Sequence, residues 1–294
     1  MRSSIAKQLT IAGVFAVAGL SLAVGTAAAE NTSGVPIPAQ PRWAKGNPAK
    51  YGKQLVSYID KADQGWVDSY AKSSITIINA RGQKSRSKTR QLTLEGSGGN
   101  KSLIRYMSPA NVRGVAALTH EHHRATDDSW LYLPSSRRVR RISGANRTSS
   151  FQGTEFTYED MTRIVPSRYR WKFIKNMTHR GQPVFKVSAV PTYRNSGYSK
   201  QVFYLNRKQW RAETVEFYDK AGRLLKVLKF SKWKLYHGRY WRAHKLHMHN
   251  KQSQKKSIIR IGSQFLNIRL YKKNGKARKG LSSSSFTRRA LEGR

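Results

Sequence analysis

The residues best suited to chemistry lie together between Trp130 and Asp160. The segment contains a cluster of four arginines, Arg137, Arg138, Arg140 and Arg141. Three acids follow within six residues of one another: Glu155, Glu159 and Asp160. The whole chain has only 15 acidic residues, so this grouping is not a product of composition. Glu155 and Glu159 are four residues apart and would share one face of a helical turn, as an acid/base pair could. The simpler interpretation, which we adopt, is that Glu155, Glu159 and Asp160 form structural ion pairs with arginines.

Histidines form two clusters, HEHH at 120–123 and HKLHMH at 244–249. On a strand, His120 and His122 would share a face, and so would His247 and His249. Either pair could supply two imidazoles to a metal ion, with a third ligand from elsewhere. The cluster at 120–123 lacks the spacing of a helical zinc motif, because no histidine follows His120 four residues on. We predict no metal site and no cofactor, and leave metal binding by these pairs as the alternative.

Other catalytic signatures are missing from the sequence. There is no cysteine, which excludes a thiol nucleophile, a disulfide framework and cysteine-ligated metal. There is no Gly-x-Ser-x-Gly elbow, and the serines at 282–285 form a low-complexity run. We therefore predict no catalytic residues and a protein that is not an enzyme.

Residues 1–29 have the pattern of a secretory signal peptide. Arg2 and Lys7 precede an uncharged apolar run that ends in small residues at 27–29. That run is shorter than the roughly 20 residues needed to cross a bilayer core. We predict cleavage after Ala29, export through the inner membrane and a periplasmic location.

The chain is strongly basic, with a formal net charge of +41. Such a field attracts polyanions. Basic strands with interleaved aromatics, such as YRWKFIK, would suit single-stranded nucleic acid, but export makes that partner unexpected. We expect no nucleic acid and favour anionic lipid headgroups, lipopolysaccharide or other envelope polyanions. A basic character shared by all secreted proteins of the lineage is the alternative explanation.

The elements that must position these residues follow from the periodicity of the sequence. Residues 30–47 are rich in Pro and Gly and predict an extended lead-in. Asn47 then caps a helix of about fifteen residues that begins at Pro48. Its apolar stripe consists of Tyr51, Leu55, Tyr58, Ile59 and Ala62.

From Ser69 onward, short alternating or β-branched segments are separated by turn residues. Two hairpins are predicted, WRAETVEFYD with RLLKVLKFSKWKLY and YWRAHKLHMHN with SIIRIGSQFLN. We predict a mainly β (α+β) fold over residues 48–294, a single domain of about eleven strands in a strongly curved antiparallel sheet. The last thirty residues are expected to be disordered, although Phe286 and Leu291 could hold them to the sheet.

One face of such a sheet carries most of the apolar side chains, and the sequence has one clear helix to cover it. We therefore expect part of the concave face to lack a protein cover and to accept lipid; a core filled by its own side chains is the alternative. Strand alternation places Leu131, Leu133, Phe151 and Phe156 in this apolar cavity. Arg138, Arg140 and Arg141 would then bind an anionic headgroup near the rim.

Several blocks of sequence resemble a known family. They are WLYLPSSRRVRRI at 130–142, SFQGTEFTYEDM at 150–161, VEFYDKAGRLLK at 215–226, RYWRA at 239–243 and SFTRRAL at 285–291. These blocks are similar to the outer-membrane lipoprotein-sorting-like proteins, relatives of the periplasmic lipoprotein carrier LolA. The likeness extends over most of the chain that follows the signal peptide.

The resemblance implies an incomplete β-barrel lidded by one or more helices, with a cavity for acyl chains. It also implies a carrier of lipid or lipoprotein tails between membranes, with an inner-membrane transport system and an outer-membrane acceptor as partners. The alternative function is that of an envelope polyanion-binding or scaffold protein with a packed core.

Overall fold

The computed structural model describes residues 39–293, except 123–124, 163 and 274–275. The predicted signal peptide and the first part of the lead-in lie outside these residues. No helix in the described part of the chain is long and apolar enough to cross a membrane.

Helix α1 spans Pro48–Ala62, and the prediction of its start and stripe is confirmed. The Asn47 side chain accepts a hydrogen bond from the Lys50 N–H at 3.0 Å, which satisfies one of the free donors of the first turn. Gly52 is required where α1 approaches the sheet, because a Cβ there would lie 2.7 Å from the backbone nitrogen of Phe173. At the other end, Arg239 donates to the Ala62 carbonyl at 3.0 Å.

The rest of the chain is dominated by one antiparallel sheet of thirteen strands. The strands are β1 Asp68–Ile78, β2 Lys84–Leu94, β3 Lys101–Ser108, β4 Ala116–His120, β5 Asp128–Leu133, β6 Arg138–Arg141, β7 Tyr169–His179, β8 Gln182–Pro191, β9 Lys200–Asn206, β10 Ala212–Tyr218, β11 Leu224–Tyr236, β12 Tyr240–Asn250 and β13 Lys256–Leu266. Their order is β6-β5-β4-β3-β2-β1-β13-β12-β11-β10-β9-β8-β7. The sheet is curved and unclosed, with β6 and β7 at its edges, so the predicted incomplete barrel is confirmed with slightly more strands than expected.

Both predicted hairpins are present. Strand β10 pairs with β11, and β12 pairs with β13. The turn between β10 and β11 closes with a hydrogen bond from the Gly222 N–H to the Asp219 carbonyl at 2.9 Å. Gly222 has a φ of 78°, a left-handed conformation that glycine adopts without strain.

The main core lies on the concave face of the sheet. Ile75, Leu246 and Ile259 are buried neighbours there on three adjacent central strands. Helix α1 covers the β7 side of this face, where Tyr51 packs 4.7 Å from Phe173 between ring centroids. The residues that connect β6 to β7 cover the other side.

The C-terminal segment packs on the opposite, outer face. It contains two short strands, β14 Lys272–Lys273 and β15 Lys276–Ala277, and helix α2 Arg288–Glu292. Phe286 and Leu291 are almost fully buried against Leu103, Ala116 and Leu118. Arg105 donates to the carbonyls of Ala290 and Leu291 at 2.6 and 3.0 Å, which satisfies acceptors at the end of α2. The expected disorder of the tail is therefore wrong for its described residues, and the expected anchoring by Phe286 and Leu291 is confirmed.

His247 lies on the outer face, where its position on β12 is opposite Lys229 of β11. Its Nε2 atom is buried without a hydrogen-bond partner. Burial, followed by the positive charges of neighbouring lysines, lowers the pKa of His247 to about 4. The folded protein therefore resists protonation of this imidazole more than the unfolded chain does.

We expect Leu291→Ala to destabilise the protein by about 3 kcal/mol, because it removes a buried side chain that the sheet cannot replace. Chemical unfolding measures the loss, and hydrogen exchange should rise first in residues 283–293. The matched control is Leu270→Ala, at a position 47% exposed, which should change the unfolding free energy by less than about 0.5 kcal/mol. Equal effects of the two substitutions would contradict the packing of the tail.

We expect His247→Gln to weaken the acid sensitivity of the fold. The histidine pKa is lower in the folded state, so its contribution is intact above the unfolded value of about 6.5 and is lost as the pH falls toward 4. The variant should lose about 1 kcal/mol less than the wild type over this window, after allowance for solvent screening. Urea unfolding at several pH values provides the measurement; parallel pH curves for the two proteins would refute it.

Candidate functional site

The candidate site is the concave face together with the plug segment, which we define as residues 143–165. The plug segment begins with a 3-10 turn at Gly144–Thr148, and its other described residues form turns and bends with one isolated β-bridge between Ser150 and Thr157. At its centre a tight loop is closed by a hydrogen bond from the Phe151 N–H to the Phe156 carbonyl at 2.7 Å. Thr154 Oγ1 donates to the Phe151 carbonyl at 2.7 Å and reinforces the loop.

Both phenylalanines of this loop belong to the concave core, with exposed fractions of 3% for Phe151 and 1% for Phe156. Phe151 packs against Tyr106 of β3 and Tyr158 of the plug segment itself. Two of the four residues predicted to line an apolar cavity, Phe151 and Phe156, are thus supplied by the plug segment, while Leu131 and Leu133 belong to the sheet.

A buried ion pair anchors the plug segment to the sheet. Lys226 of β11, 2% exposed, lies with its Nζ 2.5 Å from Asp160 Oδ2 and donates to the Glu155 carbonyl at 2.8 Å. Tyr198 donates to the other carboxylate oxygen of Asp160 at 2.7 Å. The rings of Tyr198 and Phe217 flank the ammonium at 5.3 and 5.4 Å. These contacts offset the cost of removing both charges from water.

Glu159 is held by neutral donors. It accepts hydrogen bonds from Tyr193 Oη at 2.6 Å, from Ser196 Oγ at 2.5 Å and from the Gly197 N–H at 2.7 Å. Burial, together with the charges of Tyr169 and Glu159, raises the pKa of Tyr193 far above its ordinary value. The phenol therefore remains a hydrogen-bond donor to the carboxylate at any physiological pH.

Glu155 extends the anchor to the next two strands. Its carboxylate accepts from Asn250 Nδ2 at 2.8 Å, and its backbone N–H donates to Ser257 Oγ at 2.9 Å. The contacts described for Glu155, Glu159 and Asp160 therefore involve a lysine and neutral groups where the sequence led us to expect arginines. Arg147 and Arg168 instead face Asp127, at 3.7 and 3.1 Å.

Sequence reasoning missed Lys226, Tyr198 and Tyr193 as parts of this site. One signal was available for the lysine. In RLLKVLKF, Lys226 has the same strand parity as the apolar residues Leu224 and Leu228, and a charge at such a position needs a buried partner. The tyrosines carry no comparable local signal.

The structure separates the predicted rim arginines. Leu131 is buried in the concave cluster and Leu133 packs against it. Strand register places Arg140 opposite Leu131 and Arg138 opposite Leu133, so these two exposed arginines share the concave side of the edge strand. Arg141 is opposite Trp130 on the outer side and pairs with Asp128.

Small cavities lie between the described residues of the plug segment and strands β1 to β5. Two cavities described there measure about 10 and 20 Å³, and both are bordered by Phe151 and Met161. A volume of this size holds about one water molecule. We expected this part of the concave face to lack a protein cover; in this structure the plug segment covers it.

The two histidine pairs have other contacts. His120 Nε2 is 2.8 Å from the Phe286 carbonyl oxygen, and His122 Nε2 is 2.9 Å from Asp128 Oδ2. The rings of His247 and His249 are stacked with their centroids 6.4 Å apart. Among the described residues, no group of three or more His, Cys, Asp or Glu side chains is placed to hold a metal ion.

Comparison with solved structures identifies similar folds. A putative outer membrane lipoprotein-sorting protein domain from Vibrio parahaemolyticus is 36% identical, with a TM-score of 0.77, over 83% of this chain and 99% of that one. A DUF1329 family protein from Desulfovibrio piger is 24% identical, with a TM-score of 0.75, over 83% and 99% of the two chains. The LolA superfamily protein NE2245 from Nitrosomonas europaea is 18% identical, with a TM-score of 0.62, over 80% and 97%.

A family model described only as an uncharacterized protein matches residues 98–293. No curated protein matches the chain significantly. The sequence similarity to the Vibrio domain extends over nearly the whole length of that domain, and the other two structures share the fold. The chain therefore belongs to the family of outer-membrane lipoprotein-sorting-like proteins, which have a LolA-like fold.

Proposed function

We propose that this protein is a periplasmic carrier that binds the acyl chains of lipids or lipoproteins on its concave face. The observation that carries the proposal is the plug segment, an irregular stretch whose aromatic side chains occupy an apolar sheet face and whose described anchors are mostly polar. An acyl chain would take the place of these side chains. The name of the Vibrio relative, a lipoprotein-sorting domain, supports the same class of cargo.

The free energy gained by burying an acyl chain is comparable with the free energy lost when the plug segment leaves the concave face. Burial of an acyl chain contributes about 0.8 kcal/mol per methylene, or about 10 kcal/mol for a long chain before ordering costs. Displacement of Phe151 and Phe156 costs roughly 1.5–3 kcal/mol of burial for each. The burial free energy that is left after displacement of the two phenylalanines must exceed the cost of breaking the Asp160–Lys226 ion pair. Cargo and plug segment therefore compete for the concave face with similar free energies.

The edge of the sheet offers a place for the headgroup. Arg138 and Arg140 are exposed and lie on the same side of the sheet as Leu131 and Leu133. An anionic headgroup held there would leave its chain directed along the apolar concave face. Arg141 is engaged with Asp128 on the other side of the strand, so we assign the headgroup contact to Arg138 and Arg140.

The same proposal includes the partners and the compartment. A carrier of this kind receives cargo from an inner-membrane transport system and delivers it to an outer-membrane acceptor, without catalysing a reaction. We propose that the signal peptide directs export to the periplasm and is cleaved after Ala29. The half-barrel domain then comprises residues 48–294.

A second candidate is a protein with a packed core that acts through its surface, as a scaffold or a polyanion-binding protein. The small volumes of the two cavities beside the plug segment, about 10 and 20 Å³, favour it. The two candidates differ in whether the plug segment can be displaced.

We expect Asp160→Asn to release the plug segment, because it leaves the Lys226 ammonium buried without its counter-charge. The cost should be about 3 kcal/mol in the unfolding free energy. Hydrogen exchange should accelerate in residues 150–162 more than in β11. Asp219→Asn weakens a pair with the exposed Arg223 and serves as the control; it should leave hydrogen exchange in residues 150–162 at the wild-type rate. Unchanged exchange in the plug segment would show that the ion pair does not anchor it.

A disulfide that locks the plug segment tests the carrier function directly. The Glu155 N–H donates to Ser257 Oγ at 2.9 Å and the wild type has no cysteine, so Glu155→Cys combined with Ser257→Cys is the pair to oxidise, with thiol titration to verify that the disulfide has formed. We expect the oxidised variant to lose binding of a fluorescent fatty-acid probe and the reduced variant to recover it. Each single-cysteine variant should bind the probe in both redox states.

Equal probe binding by the oxidised and reduced forms would exclude displacement of the plug segment. Absence of probe binding in every form, together with no lipid in native mass spectra of protein from its host, would exclude the carrier and leave the packed-core candidate.

A further inference from the structure

The outer face of the five central strands, in the order β2-β1-β13-β12-β11, carries a dense array of cations. Strand register arranges its side chains in three rows. The first row is Lys88, Ser74, Arg260, Lys245 and Ser231. Three of its five members are cationic, and Arg260 lies directly opposite Lys245.

The second and third rows continue the pattern toward one end of the strands. The second is Arg86, Thr76, Ile258, His247 and Lys229, and the third is Lys84, Ile78, Lys256, His249 and Val227. We call the outward side chains of these three rows the basic face. Its charged members are exposed or half-buried, and hydroxyl and imidazole groups lie between them.

The basic face has no acidic member. Along the same face, the next strand, β10, has Glu216, whose carboxylate accepts hydrogen bonds from Tyr204 and Tyr218 at 3.0 Å each. Among the described residues, no ion pair joins a lysine or arginine of the basic face to a carboxylate. The acids that form ion pairs do so with cations elsewhere in the fold.

Such an arrangement opposes folding unless something neutralises it. Like charges directly opposite on neighbouring strands destabilise a sheet, and strands are about 4.8 Å apart, well inside a Debye length of about 8 Å. The depressed pKa of His247, caused by burial first and then by Lys245, His249, Lys229 and Lys256, reports the same positive field.

The position of the basic face is also informative. Strand β13 is the seventh of thirteen in the sheet order, so the basic face occupies the middle of the outer surface. The C-terminal segment covers the outer face of the neighbouring strands β3 to β5, whereas the charged side chains of the basic face are exposed or half-buried and open to a partner. The edge strands β6 and β7 lie at the two ends of the sheet order, away from the basic face, and the plug segment lies on the opposite face.

From this geometry we infer that the basic face docks the protein onto an anionic bilayer surface, with phosphate-bearing headgroups as the counter-charges. The array extends in two dimensions over five strands, which matches a plane of headgroups better than a single linear polymer. Serine and threonine hydroxyls between the cations can donate hydrogen bonds to phosphate oxygens. The inference goes beyond the carrier proposal, because it concerns the opposite face of the sheet and does not depend on the cargo.

The test is binding to vesicles of equimolar phosphatidylcholine and phosphatidylglycerol, with pure phosphatidylcholine vesicles as the neutral reference. The face variant combines K88Q, K229Q, K245Q and R260Q. The matched control combines K53Q, K61Q, R194Q and K208Q, which removes the same charge from exposed positions outside the basic face. Each cation near an anionic surface contributes about fivefold to partitioning, so the face variant should bind between about tenfold and several hundredfold more weakly. The control should remain within about threefold of the wild type.

The face variant should fold, because the changes relieve repulsion, and its thermal midpoint should equal or exceed that of the wild type. An equal loss of vesicle binding in both variants would attribute binding to bulk charge and overturn the inference. Unchanged vesicle binding in the face variant would also overturn the inference. If the face variant kept vesicle binding but lost binding of soluble long-chain polyphosphate, the basic face would bind a soluble polyanion and not a bilayer.

A second readout reports orientation. A polarity-sensitive fluorophore on Ser74→Cys, inside the first row, should shift to the blue when anionic vesicles are added. The same label on Lys53→Cys, on the exposed side of α1, should not. A shift at position 53 alone, or equal shifts at both positions, would show that another surface meets the bilayer. These results leave the fatty-acid probe experiment unaffected, so the two proposals can fail separately.

Discussion

Burial of the concave face is the constraint on which the rest of this structure depends. A curved sheet of thirteen strands exposes more apolar surface on its inner side than one helix can cover. The chain meets this need with two covers, α1 over the β7 side and the plug segment over the β1 to β5 side. The first is a regular helix with a capped start and a glycine contact. The described residues of the second cover contain a 3-10 turn, one isolated β-bridge, turns and bends, and they are held to the sheet by buried phenylalanines and buried polar groups. In the carrier proposal, the plug segment is the cover that the cargo replaces.

The scarcity of acids shapes both faces of the sheet. With 15 acidic residues against 56 basic ones, each carboxylate has many available partners. Several carboxylates form ion pairs in the interior of the protein: Asp160 with Lys226, Asp63 with Arg242 at 2.7 Å, and Asp127 with Arg147 and Arg168. Buried cations without counter-charges would be far more costly than exposed ones. Several acids are therefore placed beside buried cations, and the charged members of the basic face are all cations. The small number of carboxylates thus accounts both for the buried Asp160–Lys226 pair and for the lack of acids in the basic face.

Local patterns predicted those elements whose physics is local. The cap at Asn47, the stripe of α1 and the two hairpin turns follow from neighbouring residues, and alternation placed Leu131 and Leu133 on the concave side. The partners of Glu155, Glu159 and Asp160 could not be predicted in this way, because Tyr193, Lys226 and Asn250 are distant in sequence and meet them only across the folded sheet. The folded conformation of the C-terminal tail also depends on residues distant in sequence, those on the outer face of β3 to β5. Two apolar residues, Phe286 and Leu291, were the only hint of it.

The sequence by itself determined that this is a basic, cysteine-free chain with one capped helix and a succession of antiparallel strands, because composition, caps and two-residue alternation are readable over short distances. Only the tertiary structure decided what fills the concavity, which cation pairs with which acid, and that the positive charges of five separate strands form one continuous face. These outcomes depend on register and curvature, which bring together residues two hundred or more positions apart, as in the hydrogen bonds from the Ile268 and Leu281 N–H groups to Asp68. Register is set by the fit of the whole apolar face, and no short segment contains that information.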